Sequence, residues 1–114
     1  MKTNNSIMYK FLKIPFDSGN PTGKKGTARS PDLILKKGIN VKINQSNAEE
    51  TQKNITAAAL KELKAGHKIC SVGGDHSITY GLVKACSKIY KDLALIYFDA
   101  HLDCEDDFIP PSHE

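Results

Sequence analysis

Arginine occurs once in these 114 residues, at Arg29, so the formal net charge of +3 is carried by lysine. The lysines are scattered, and no stretch gathers them on one face among aromatic residues. Nucleic-acid binders concentrate basic side chains along the path of the phosphates and add aromatics for stacking. Their absence here argues against a nucleic-acid partner. No CxxC pair exists either. Cys70, Cys86 and Cys104 are odd in number and cannot all pair within the chain, which reads as reduced thiols and predicts a cytoplasmic protein. Cys70 and Cys86 fall in apolar patterns that predict core positions. The opening MKTNNSIMYKFLKI lacks the apolar stretch of a secretory leader, and no run approaches the length of a membrane span. Without a leader, the N-x-S/T matches at Asn4, Asn44 and Asn54 are chance. With 39% hydrophobic and 25% charged residues the chain is not globally disordered. Its length suits one domain with a real core.

Strands and helices alternate along what remains. SIMYKFLKIPF, residues 6–16, reads as a first strand ending near Pro15. A loop dense in glycine, proline and small polar residues follows. Ser30 and Pro31 predict the start of a short helix that Gly38 closes. INVKI, residues 39–43, reads as a second strand by its alternation. Ser46 or Asn47, with Glu49 or Glu50 three residues on, marks the cap of a longer helix. Ile55, Ala59 and Leu63 give that helix one apolar face, and Gly66 stops it. KICSV, residues 68–72, is a third strand, and Ile78, Leu82, Cys86 and Ile89 form the stripe of a third helix. LALIYF, residues 93–98, is read as a fourth strand buried on both faces. The order predicts an α/β protein with a parallel sheet covered by helices. No internal repeat or linker divides it.

In such sheets ligands gather at the carboxyl ends of the strands. Two polar groups stand there. GGDHS (73–77) follows the third strand: its glycines permit a tight turn, and Asp75 or Ser77 can cap the next helix. On that plain reading His76 is incidental. DAHLD (99–103) follows the fourth strand. If extended, Asp99, His101 and Asp103 share one side. Two carboxylates flanking an imidazole repel and resist burial unless a cation joins them, and such a donor set suits Mn²⁺, Mg²⁺ or Zn²⁺. The competing reading is a solvated acidic loop running on into Glu105, Asp106 and Asp107. Two polar groups at two parallel strand ends favour one shared site. GNPTGKK is not a phosphate loop, since its glycine spacing is wrong and Lys25 stands where Ser or Thr would hold magnesium.

SVGGDHSITYG followed by IYFDAHLD resembles the ureohydrolase superfamily, the arginase, agmatinase and formiminoglutamase group. PFDSGNPTGKKGTARSPDLI is similar to that family's first strand, glycine-rich loop and first helix, so the likeness covers residues 1–114. It implies a three-layer α/β/α fold with a parallel sheet, of which this chain is the N-terminal part of a single domain. It also implies a binuclear Mn²⁺ site in which His76, Asp99, His101 and Asp103 are ligands, Asp99 bridging. Asp75 is then an outer-sphere or capping residue. His113 in PPSHE stands near the place of a family loop histidine that faces the substrate and transfers protons; the alternative is a surface histidine. Leu102 departs from the threonine common inside the second motif and argues against a conventional arginase. The implied reaction is hydrolysis of a guanidino or amidino compound at its central carbon, with release of urea or a related amide.

The family completes its metal pair with a D-x-D motif that these 114 residues do not contain. The implied sheet order also sets later strands between those ending at His76 and Asp99, whereas a simple βαβ reading makes the two neighbours. Two functions therefore stand: a metallohydrolase, homo-oligomeric when full length, or a truncated non-catalytic remnant that binds metal weakly or serves as an interaction module.

Overall fold

The computed structural model describes residues 7–19, 23 and 25–100. Three strands form one sheet in the order β2-β1-β3, all parallel: β1 (Tyr9–Ile14), β2 (Ile39–Asn40) and β3 (Lys68–Gly73). A 3₁₀ turn at Thr27–Arg29 leads into α1 (Ser30–Ile34), α2 is Ala48–Lys64, and a second 3₁₀ turn at His76–Ile78 leads into α3 (Thr79–Ile89). The α/β class with a parallel sheet is as the sequence predicts.

The chain steps from β1 outward to β2, then back across β1 to β3. Right-handed crossovers in opposite directions place their helices on opposite faces of the sheet. Side chains agree. Leu12 and Ile14 leave one face of β1 and are buried with Ile55, Ala59 and Leu63 of α2. Lys13 leaves the other face, and its Nζ donates to Asp32 of α1 at 3.0 Å. The reversal of direction at β1 opens a crevice between the carboxyl ends of β1 and β3.

The long helix forms where local signals are strongest. Asn47 caps it, its Oδ1 accepting from the Glu50 N–H at 3.0 Å. Glu49 and Glu50 occupy the first turn and Lys61 and Lys64 the last, each matching the helix dipole. Gly66, with φ 84°, ends it: its N–H reaches Leu63 O at 3.0 Å and His67 N–H reaches Glu62 O at 3.1 Å. Burying Ile55 and Leu63 contributes roughly 1.5–3 kcal/mol each. α3 then packs on α2 through Gly81, where a Cβ would lie 2.8 Å from Ile55 Cγ2. Gln52 binds both sides of that contact, accepting from Gly81 N–H at 2.9 Å and donating to Ser77 O at 2.8 Å.

Several expectations are corrected. Residues 93–98 are not a strand: they pair with neither β3 nor any other described segment, and Ile96 and Phe98 are 81% and 90% exposed. An apolar run becomes a strand only when a neighbour takes its backbone hydrogen bonds, and β3 does not. Among the described residues the two segments are thus not paired as strands. The second strand is shorter than INVKI, because past Val41 the backbone turns to other partners, with Lys42 O accepting from Asn54 Nδ2 at 3.1 Å. Ser30 does not cap α1; the preceding 3₁₀ turn already has it helical, while Pro31 sits in the first turn as expected. The helix ends at Ile34, with Leu35 extended, well before Gly38. Gly38 instead lets its backbone approach β1, where a Cβ would meet Phe11 O at 3.2 Å. Cys70 is exposed rather than in the core; Cys86 is half-buried, and burial pushes its thiol pKa up.

The α2–α3 contact should be intolerant of bulk. Gly81→Val is expected to cost about 1–3 kcal/mol, because the new atoms must displace Ile55 or part the helices. Urea unfolding followed by circular dichroism checks this; an unchanged midpoint would show that the helices are not closely packed there.

Candidate metal centre

Past the strand ends, β1 and β3 stay bonded. Gly74 N–H donates to Ile14 O at 3.1 Å and Asp75 N–H to Phe16 O at 2.9 Å. Gly74 is required by this approach, since a Cβ there would lie 2.3 Å from Phe16 O. Asp75 Oδ1 then accepts from the Ser77 N–H at 3.0 Å and from the Ser77 hydroxyl, capping the 3₁₀ turn. Its Oδ2 is buried with no hydrogen-bond partner among the described residues, as is Ser71 Oγ. Both residues line a groove of about 470 Å³ that His76 shares.

His76 opens that turn with its ring half-exposed. Its Nδ1 stands 2.8 Å from Asp99 Oδ2, and the Asp99 side chain is 13% exposed. The ring stacks on Tyr97, centroids 4.4 Å apart and 9° from parallel. GGDHS and the start of DAHLD, twenty-odd residues apart in sequence, therefore meet. Two donors each about 2.0–2.2 Å from one cation, at a right angle, are roughly 3 Å apart. The observed separation fits that arrangement, and the sheltered carboxylate would gain from the neutralising charge. Without a cation the same pair is an imidazole N–H donating to a carboxylate.

His101, Asp103 and His113 lie outside the described residues. Among the described residues no group of three or more His, Cys, Asp or Glu could hold a metal. His76 and Asp99 are thus the two proposed ligands whose placement is seen. Asp75 takes its capping role, beside the pair.

Asp17 was not singled out by the sequence. It is 5% exposed, and its Oδ2 accepts from the Gly26 N–H at 2.9 Å and the Ala28 N–H at 3.3 Å. Lys25 Nζ lies 3.9 Å from its Oδ1 and donates to its carbonyl at 3.3 Å. Gln45 holds the same stretch from the other side. Its Nε2 donates to Pro15 O at 2.7 Å, and its Oε1 accepts from Ser18 Oγ at 2.8 Å and Asp17 N–H at 3.3 Å. An aspartate directly after an apolar strand and ahead of a glycine-rich loop is the one signal that could have pointed to it.

The Gly26 N–H, more than any other group, holds the Asp17 carboxyl below its ordinary pKa of 3.8; Ala28 N–H and Lys25 add to this, against the opposing effect of burial. A carboxyl depressed on folding stabilises the loop fully above its unfolded value, and that contribution is lost as pH falls through the folded value. The Gly26 amide resonance should accordingly titrate with a midpoint below the ordinary carboxyl value of 3.8. A midpoint at or above the ordinary carboxyl value in an NMR titration would contradict the assignment.

The sequence profile of the Arginase family matches residues 28–113. N(1)-aminopropylagmatine ureohydrolase of Thermus thermophilus is 43% identical over 56 residues, 49% of this chain and 19% of that protein. The agmatinase of Serratia proteamaculans is 42% identical over 60 residues, 53% of this chain and 20% of its own length, and that of Citrobacter koseri is 42% identical over 57 residues. The matched stretch therefore spans about a fifth of the length of these relatives. No solved structure matches significantly. With three quarters of its length under the family profile, and with both quoted motifs inside that match, this chain belongs to the arginase family.

Proposed function

We propose that the complete protein is a metal-dependent ureohydrolase acting on a linear guanidino or amidino compound, of the agmatine class named for its relatives. The approach of His76 Nδ1 to Asp99 Oδ2 at 2.8 Å carries this reading. It joins the two motifs into one donor set, at the crevice where a parallel sheet of this topology binds ligands. His76, Asp99, His101 and Asp103 would hold the cations. Oxygen donors with some imidazole and no thiolate pair suit Mn²⁺. Bound divalent cations supply the Lewis acidity that makes water nucleophilic near neutral pH.

The chain's own residues do the rest. Asp99 offsets cationic charge at the site and fixes which way the His76 ring faces. Tyr97 covers one face of that ring and keeps water from it. Asp75 fixes the turn on which His76 stands. His113 is assigned to proton transfer on the substrate side. The free thiols Cys70 and Cys86 support a cytoplasmic setting, and no helix among the described residues is long and apolar enough to cross a membrane. A homo-oligomer is proposed for the complete protein.

Calorimetric titration with Mn²⁺ tests the ligand assignment. His76→Ala and Asp99→Ala should each weaken binding at least about tenfold; equal affinity in all three proteins would overturn it. In the same preparations agmatine and arginine should release no measurable urea, since donors are lacking. Turnover by the 114-residue chain that His101→Ala abolishes would show that the D-x-D motif is dispensable.

A further inference from the structure

The loop after β1 does more than connect. Its two ends are held at the same place by the Asp17 carboxylate, which takes the Gly26 and Ala28 N–H groups on one oxygen. Held so, the loop lies against the turn that carries His76. Gly19 has no room for a side chain there: a Cβ would lie 2.1 Å from Ser77 Oγ and 3.2 Å from Asp75 Oδ1. Gly74 has none either, with Ala28 N at 3.3 Å from its would-be Cβ. Phe16, just before Asp17 and past the end of β1, gives its carbonyl to Asp75 N–H. Asp17 thus sits between two backbone segments, each of which touches the Gly74–Asp75–Ser77 turn directly.

Gln45 makes the clamp two-sided. It grips Pro15 O, Asp17 N–H and Ser18 Oγ from the loop ahead of α2, while Gln52 within α2 grips Ser77 O and Gly81 N–H. Both ends of the His76 turn are therefore referred to α2. The part of the frame that depends on one charged group is the Asp17 loop. A carboxylate this sheltered, taking two backbone N–H groups with a lysine beside it, is a strong and directional anchor.

We propose that Asp17 is a positioning residue for the metal centre: it holds residues 17–19 and 26–28 against the Gly74–Ser77 turn and so sets where His76 stands relative to Asp99. This rests on the reading of His76 and Asp99 as ligands. The described partners of Asp17 are Gly26, Ala28, Gln45 and Lys25 rather than His76 or Asp99.

The test uses the full 114-residue chain with Mn²⁺ alone as the probe. Asp17→Ala should weaken Mn²⁺ binding about 10–100-fold, the range for groups that orient metal ligands. Amide exchange should quicken at Gly26, Ala28, Asp75 and Ser77 while the α2 amides from Ile55 to Leu63 keep their protection. Asp17→Asn retains an acceptor oxygen without the charge and should fall between Asp17→Ala and wild type on both measures. Gly19→Val wedges the loop off Ser77 without touching the carboxylate, and should weaken Mn²⁺ binding as well. Wild-type affinity in Asp17→Ala, or wild-type protection at Asp75 and Ser77, overturns the proposal. So does loss of α2 protection in both Asp17 variants, which would make Asp17 a residue of the whole fold. If the wild-type chain takes up no Mn²⁺, the metal reading falls, while exchange at Asp75 and Ser77 still decides the clamp by itself.

Discussion

The parallel ladder between β1 and β3 is the constraint on which everything else depends. It runs in register from Tyr9 opposite Lys68 to Ile14 opposite Gly73, then continues past the strand ends through Phe16 O and Asp75 N–H. Parallel pairing requires that α2 cross over β1, which buries Leu12 and Ile14 under Ile55, Ala59 and Leu63. It also sets the carboxyl ends of both strands side by side. Loops leaving those ends cannot avoid one another, and glycine at positions 19 and 74 is what lets them touch.

Electrostatics at the meeting point follow from that geometry. The Asp99 side chain, 13% exposed, stands 2.8 Å from the His76 ring, where an imidazole N–H or a cation can meet its charge. Asp17 solves the same problem differently, with backbone N–H groups and a lysine. The contrast is informative. The carboxylate satisfied by main chain shapes the loop, and the other faces an imidazole. Asp75 is intermediate: one oxygen caps the turn, and the other is buried without a described partner in the groove beside His76.

What could be read from the sequence was local. Asn47, the 55/59/63 stripe and Gly66 announce α2 within a few turns of chain, and β1 and β3 are short apolar runs between clear loop signals. The two motifs were also legible, and the structure brings His76 and Asp99 together. The fourth strand was not, because whether residues 93–98 join the sheet is decided by a neighbour distant in sequence, and an apolar run outside a sheet spells the same letters as a buried strand. Asp17 and Gln45 were missed for a related reason. Their partners lie 9 to 30 residues away, across a loop with no periodicity to read. Cys70 misled because alternation in a strand says which residues share a face but not how well that face is covered; its register partner Phe11 is 43% exposed as well.

The central claim is that His76 and Asp99 share one cation. Paramagnetic broadening tests it most directly: trace Mn²⁺ is added to the isotope-labelled chain, and the resonances that vanish first mark the site. The predicted result is early loss of the His76 ring and of the amides at Ser77 and Asp99, ahead of the C-terminal turns of α2. Broadening confined to residues 105–107, with His76 untouched, would instead identify a solvated acidic loop that attracts cations without a built site, and would contradict the claim.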